Sequence, residues 1–193
     1  MGSDGIFRLF DLRTPASAQN HLVMSVPIST APRAAGVPPP MKNGESVEAL
    51  THDWNKYRSS VVAVGGVDRM IRTFDVRNAG QGPIAVLPGH EYAVRRLAWS
   101  PHLPDLLLSA SYDMSCRVWT DGSAVGVNNN SMAQQQWQDM MAFGGGKELG
   151  RMDRHTEFAT GVDWCLFGAE GWCASTAWDE RVLVWDVRAV MGR

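Results

Sequence analysis

The sequence predicts an all-β chain built from repeated antiparallel sheets, and two spacings and one pattern carry that prediction. An Asp is followed six positions later by Phe or Trp in four segments: SDGIFRLFDLR from Ser3, VDRMIRTFDVR from Val67, YDMSCRVWTDG from Tyr112 and WDERVLVWDVR from Trp178. The pairs are Asp4 with Phe10, Asp68 with Phe74, Asp113 with Trp119 and Asp179 with Trp185. Upstream of the last three Asp residues stand Trp54, Trp99 and Trp164, at 14, 14 and 15 positions. Between these landmarks VVAVGG, DLLLSAS and GWCASTA are short β-rich runs closed by turn residues, and no segment keeps a helical period.

A Gly-His dipeptide in PGH at Pro88 to His90, and His155 in RHTEF, complete the Gly-His to Trp-Asp pattern of WD repeats. The residue types predict a hydrogen-bond relay inside each sheet. His90 donates to Asp113 in the tight turn, Ser109 or Ser111 bridges, and Trp119 donates its indole N–H; His155, Asp179 and Trp185 repeat the pattern. Buried polar groups need such partners, because each one left unsatisfied costs about 1–3 kcal/mol. Ser, His and Asp also suit a hydrolase triad. No GxSxG elbow accompanies Ser109 or Ser111, and the Asp turn recurs without the His, so the relay is read as scaffold.

The predicted architecture is an incomplete WD-repeat β-propeller of four-stranded antiparallel sheets, with about three full blades and a partial one. Residues 1–27 supply the third and outer strands of a partial blade. Residues 28–46 (ISTAPRAAGVPPPMKNGES) form a Pro-rich loop that takes the place of the next Gly-His. A blade follows over 47–87 and another over 88–127. Residues 128–146 are an Asn-, Gln- and Gly-rich loop whose Trp137 and Phe143 either anchor a partner or pack beneath the blades, and 147–193 make the last blade. Propellers close on themselves to remove sheet edges, and three blades cannot close, so the chain is expected to be part of a larger propeller.

Composition narrows the function. The chain has 193 residues, 45% hydrophobic and 20% charged, with a formal charge of −2 and a sequence pI near 6.2, so no excess of Lys and Arg exists to neutralise nucleic acid. Cys116, Cys165 and Cys173 lack a CxxC partner and are predicted to be reduced core residues of a cytosolic protein. No apolar run reaches 18 residues, and Met1-Gly2 fails as a myristoylation signal because Ile6 stands where Ser or Thr belongs. Gly144 to Gly146 lack the Lys-Ser or Lys-Thr ending of a phosphate loop. With no metal cluster and no paired carboxylates, the sequence predicts neither catalysis nor a cofactor.

THDWNKY from Thr51, GGVDRMIRTFDVRN from Gly65, LPGHEYAVRRLAWSP from Leu87, SASYDMSCRVW from Ser109, RHTEFATGVDW from Arg154 and STAWDERVLVWD from Ser175 together resemble the carboxy-terminal half of peroxisomal import receptors for type-2 targeting signals, in a fungal form. The resemblance implies a receptor shared between cytosol and peroxisome matrix. It would grip the short amino-terminal helical signal of cargo enzymes, with a co-receptor closing over the signal and a docking complex at the peroxisomal membrane. Such a signal presents a basic residue first, apolar residues on one stripe, and a His or Gln late. The face bearing the Asp turns offers Glu91, Tyr92, Arg95, Tyr112, Glu157, Phe158, Trp178 and Glu180 as signal-binding candidates, carboxylates for the basic end and aromatics for the stripe. Tyr92, Arg95, Arg96, Glu157, Phe158 and Trp178 match the family's pattern. WDVR at Trp185 and FDVR at Phe74 resemble a docking box of cullin ubiquitin ligase substrate receptors. A ligase adaptor or a plain scaffold therefore remains the alternative reading.

Overall fold

The computed structural model describes residues 4–28, 47–123 and 146–191. These form four antiparallel sheets, the arrangement of an incomplete β-propeller. The first sheet pairs β1 (Ile6–Phe10) with β2 (Leu22–Pro27). The second runs β3 (Ala49–Trp54), β4 (Val61–Gly66), β5 (Ile71–Asp75) and β6 (Ala85–Leu87) in chain order. The third is β7 (Val94–Trp99), β8 (Leu106–Ser111), β9 (Cys116–Thr120) and β10 (Lys147–Met152). The fourth is β11 (Ala159–Trp164), β12 (Trp172–Ala177) and β13 (Val182–Asp186).

One boundary moves. Lys147–Met152 is the outer strand of the third sheet, in register Lys147 with Thr120 and Met152 with Cys116, so the segment 147–193 is not one blade. Two sheets, not three, have four strands among the described residues. The sequence repeat is out of phase with the sheets by one strand, because the chain returns after the insertion to the open edge of β9. Met152 then drops into the core shared by the third and fourth sheets. The Pro-rich loop beyond Ile28, and Trp137 and Phe143, lie outside the described residues.

Each seam between neighbouring sheets is an apolar core. Val62, Val64 and Phe74 close the first seam with Phe7 and Trp54; Leu97, Trp99, Leu107 and Trp119 close the second; Leu108, Val118, Val162 and Trp164 close the third, with Trp185 packed against them. In the second, third and fourth sheets both landmarks, the upstream Trp and the aromatic after the Asp, therefore face the preceding sheet. β4 and β8 are buried at every position, which is why VVAVGG and LLLSAS read as nearly continuous apolar runs and not as alternations. Inner strands are also stitched by polar atoms. The Thr51 hydroxyl accepts the Leu97 N–H at 3.2 Å, Asp53 Oδ2 accepts the Trp99 N–H at 2.7 Å, and the Trp164 indole donates to the Ala98 carbonyl at 2.8 Å.

The four Asp residues have one local task in common. Each carboxylate accepts the backbone N–H two residues on: Ile6 at 3.2 Å, Met70 at 3.3 Å, Ser115 at 3.0 Å and Arg181 at 3.1 Å. The intervening residue is left-handed in every case, Gly5 at φ 65°, Arg69 at 69°, Met114 at 64° and Glu180 at 61°. At the other end of the sheets, Asp11, Asp75 and Asp186 brace the strand exits by taking the forked guanidinium of Arg13, Arg77 and Arg188 at 2.6–3.0 Å.

Cys116 and Cys173 are core thiols, and burial pushes Cys116 up to about 12 and raises Cys173 as well. Cys165 is exposed, contrary to the core position expected of it, because the chain leaves the sheet there; its Sγ bonds the Phe167 carbonyl at 2.7 Å. No helix among the described residues is long and apolar enough to cross a membrane.

Met114 is exposed and left-handed, a conformation costing a side-chain-bearing residue roughly 1 kcal/mol. Met114→Gly should raise the urea unfolding midpoint by the equivalent of roughly 0.5–1 kcal/mol, and Met114→Val should lower it.

Candidate functional site

Two relays stand at the turn end of the third and fourth sheets. His90 Nδ1 lies 2.7 Å from Asp113 Oδ2, His90 Nε2 lies 2.6 Å from Ser109 Oγ, and the Trp119 indole donates to the same Oγ at 2.7 Å. In the fourth sheet the distances are 2.9 Å for His155 to Asp179, 2.9 Å for His155 to Ser175 and 3.2 Å for Trp185 to Ser175. A neutral imidazole satisfies every atom: indole N–H to Ser oxygen, Ser O–H to Nε2, Nδ1–H to carboxylate. Burial lowers the pKa of His90, against the pull of Asp113, and keeps that ring neutral. Burial pushes the Asp113 carboxyl up, but the bonds from His90, Ser115 and the Glu91 backbone N–H prevail and hold it far below the carboxylate range.

Ser109 is the bridge, four residues before Asp113. Ser111 instead donates to the Tyr92 carbonyl at 3.1 Å and accepts the Asp113 N–H at 3.2 Å. Ser175, four residues before Asp179, bridges the fourth sheet and was missed in the sequence; the equal offset from the Asp was the signal available. Ser109 and Ser175 are fully buried and each is engaged by His and Trp, so neither presents a hydroxyl to a substrate. Gly89 is required by this packing. A Cβ there would lie 2.8 Å from Trp119 Cη2 and 2.9 Å from Arg117 Nη1, at a φ of +156°. Arg117 in turn bridges Asp113 at 3.2 Å and Glu148 at 2.7 Å.

The second sheet keeps the Asp turn without the relay. Val64 takes the Ser place and Phe74 the Trp place, and Asp68 is held by Arg72 at 2.6 Å. The position matching His90 lies outside the described residues.

The relays hold down the loops that form the face above them. The Glu91 N–H donates to Asp113 Oδ2 at 3.1 Å and the Thr156 N–H to Asp179 Oδ2 at 3.2 Å. The Tyr112 N–H donates to the Ala93 carbonyl and the Trp178 N–H to the Phe158 carbonyl, both at 3.1 Å. This brings three of the sequence candidates together across the seam of the third and fourth sheets. Ring centroids are 5.0 Å apart for Tyr112 and Phe158, 5.2 Å for Phe158 and Trp178, and 6.1 Å for Tyr112 and Trp178. Trp178 is 61% exposed, while Tyr112 and Phe158 are half-buried beneath it.

Tyr92 is exposed and shares no ring contact with that trio. Glu91, Arg95, Glu157 and Glu180 are exposed, and none makes a side-chain hydrogen bond or ion pair among the described residues. Arg96, Arg154 and Arg181 are exposed on the same sheets, so the surface carries both signs of charge around an aromatic centre. No group of His, Cys, Asp and Glu among the described residues is arranged to hold a metal ion.

Residues 81–120 match the model of the WD domain, G-beta repeat. Among curated proteins, the chain is 35% identical over 198 residues to the peroxisomal targeting signal 2 receptor of Saccharomyces cerevisiae, covering 92% of this chain and 46% of that protein. It is 40% identical over 154 residues to the receptor of the same name in Komagataella phaffii, covering 74% of this chain and 38% of the other. Peroxisome biogenesis protein 7 of Arabidopsis thaliana is 38% identical over 104 residues, covering 54% of this chain and 26% of that protein. The chain spans less than half the length of these relatives.

Ser109→Ala should cost about 1–3 kcal/mol in urea unfolding, because it strands both His90 and Trp119 in the core. Gly89→Ala should also lower the midpoint, through its clash with Trp119.

Proposed function

We propose, from the premise that this chain belongs to the WD-repeat family of the peroxisomal targeting signal 2 receptors, that its turn face supplies part of a docking surface for the type-2 targeting signal of cargo enzymes. The observation that carries the proposal is the aromatic trio of Tyr112, Phe158 and Trp178, held rigid by two buried relays and topped by an exposed indole. A short amphipathic helix presents one apolar stripe, and a preorganised aromatic patch receives such a stripe at low entropic cost. Glu157 adjoins Phe158 and Glu180 follows Trp178 by two positions, where they meet the basic residue that opens such a signal. Glu91, Tyr92 and Arg95 extend the surface along the third sheet.

The activity is binding without catalysis. The Ser-His-Asp groups are buried and mutually satisfied, and their work is to position the loops. A co-receptor covers the bound signal, a docking complex at the peroxisomal membrane receives the assembly, and the receptor works between cytosol and peroxisome matrix. Because the chain spans less than half of its relatives, the full groove includes blades that this chain does not contain.

Fluorescence anisotropy of a labelled type-2 signal peptide, against this chain and against a form extended to seven blades, with and without co-receptor, measures the proposal. Saturable binding by the extended form is expected. Trp178→Ala in that form should weaken it roughly 30-fold, the effect of removing a central aromatic anchor worth about 2 kcal/mol, and Glu157→Lys should weaken it in the same direction. Binding by neither form, or binding indifferent to both substitutions, would remove this face from signal recognition.

A further inference from the structure

The first and last sheets carry, uncovered, the two matching halves of one contact. In a closed seam, the aromatic six positions after the turn Asp and the apolar residue two positions beyond it pack into the preceding sheet. Phe74 and Val76 of the second sheet do so against the first, and Trp185 and Val187 of the fourth against the third. Phe10 and Leu12 hold these places in the first sheet, which has no sheet before it among the described residues. Phe7 packs toward the second sheet, so alternation along β1 turns Phe10 to the other side. Where Phe74 and Val187 are buried, Phe10 is 45% exposed and Leu12 is 88% exposed.

The fourth sheet is bare on its far side. In the third sheet, Leu106, Leu108, Cys116 and Val118 are fully buried in the core shared with the fourth. The residues at the same offsets from Asp179 are Trp172, Ala174, Val182 and Val184. Cys173, Leu183 and Trp185 alternate with them and pack toward the third sheet, so these four face away from it. Trp172 is 41% exposed, Val182 67% and Val184 66%. Val184 stands opposite Ala174 across the strands, which joins them into one apolar strip over β12 and β13. On the inner strand β11, Asp163 alternates with the core residues Val162 and Trp164 and is exposed. The apolar part of this face therefore lies away from the inner strand. A sheet made of a third and an outer strand alone, as β1 and β2 are, covers that part and leaves Asp163 to water.

We propose that the occupant is a second copy of this chain. The Phe10–Leu12 corner of each copy packs on the open face of the other copy's fourth sheet, as Trp185 and Val187 pack on the third. Four sheets in each copy give a ring of eight, within the range of about 4 to 8 blades at which propellers close. The contact joins two different surfaces of the chain, so it ends in a ring only where the rotation closes, and a two-fold rotation closes this one. Burial of both apolar faces drives it. The inference rests on the seams and is independent of signal binding.

Sedimentation equilibrium of the unmodified chain at micromolar concentration is the test. A mass twice the 21.2 kDa of one chain is expected. Leu12→Asp and Val184→Asp should each weaken the dimer roughly 100-fold, because each buries an unpaired carboxylate in the contact. Leu12 is exposed and outside the strands, so Leu12→Asp should melt with the parent monomer and report association alone. An equal mixture of the two variants should form a dimer that neither forms by itself, since the intact corner of one meets the intact face of the other. The form extended to seven blades, which has its own sheets in both places, should be a monomer. A monomeric parent chain, a dimer indifferent to both substitutions, a mixture that stays monomeric, open chains longer than two, or an extended form that dimerises with the same sensitivity overturns the proposal.

Discussion

Everything at the turn end of the sheets depends on an Asp carboxylate that works in two directions. One oxygen folds the tight turn by accepting the N–H two residues on, which forces the residue between them into the left-handed region. In the third and fourth sheets the other oxygen is buried against a His ring and also takes the N–H of the loop arriving from the previous repeat. A local turn and a long-range closure are therefore one structure. The His, the Ser and the Trp exist to make that burial tolerable, because a carboxylate taken from water needs each lone pair occupied. The second sheet shows the same constraint met differently. Where Val64 and Phe74 replace the Ser and Trp, Asp68 keeps its turn and takes an arginine instead.

The rigid turn is what allows an exposed aromatic to be placed. Trp178 directly precedes Asp179, and Tyr112 directly precedes Asp113, so each ring is fixed by the carboxylate beside it and by a backbone bond to the facing loop. Phe158 enters from the loop that His155 anchors. The three rings come from two sheets and meet only because the apolar seam beneath them sets the sheets side by side. At the opposite end, Arg58 ties the second sheet to the third, and bidentate Asp-Arg forks brace the exits of the first, second and fourth sheets. Charge pairs thus occur at both ends of the propeller, but the buried His-Ser-Asp-Trp relays and the aromatic trio stand at the turn end.

Much of this was legible in the residues. The Asp to Phe or Trp ruler placed β1, β5, β9 and β13, the upstream Trp placed β3, β7 and β11, and the Gly-His pair marked the relay of the third sheet. Other features were not legible. Ser175 escaped because Ser is common and only its offset from Asp179 distinguished it. Ser109 could not be separated from Ser111, since adjacent same-strand Ser residues two apart point to the same side and only the reach of the His ring chooses between them. Cys165 resembles its neighbours in composition and differs in lying beyond the end of β11. Arg58 with Asp121 was invisible, because the pair joins residues 63 positions apart on different sheets.

By itself the sequence determined the all-β repeat, the places of the turns and the residue types that satisfy them, because those depend on backbone geometry and on partners at fixed offsets along the chain. Only the tertiary structure decided which strand completes which sheet and which aromatic rings share a surface. It also decided that Arg58 of the second sheet pairs with Asp121 of the third. Those outcomes are set by the packing of one apolar sheet face on the next, and no spacing along the chain encodes the distance across a seam.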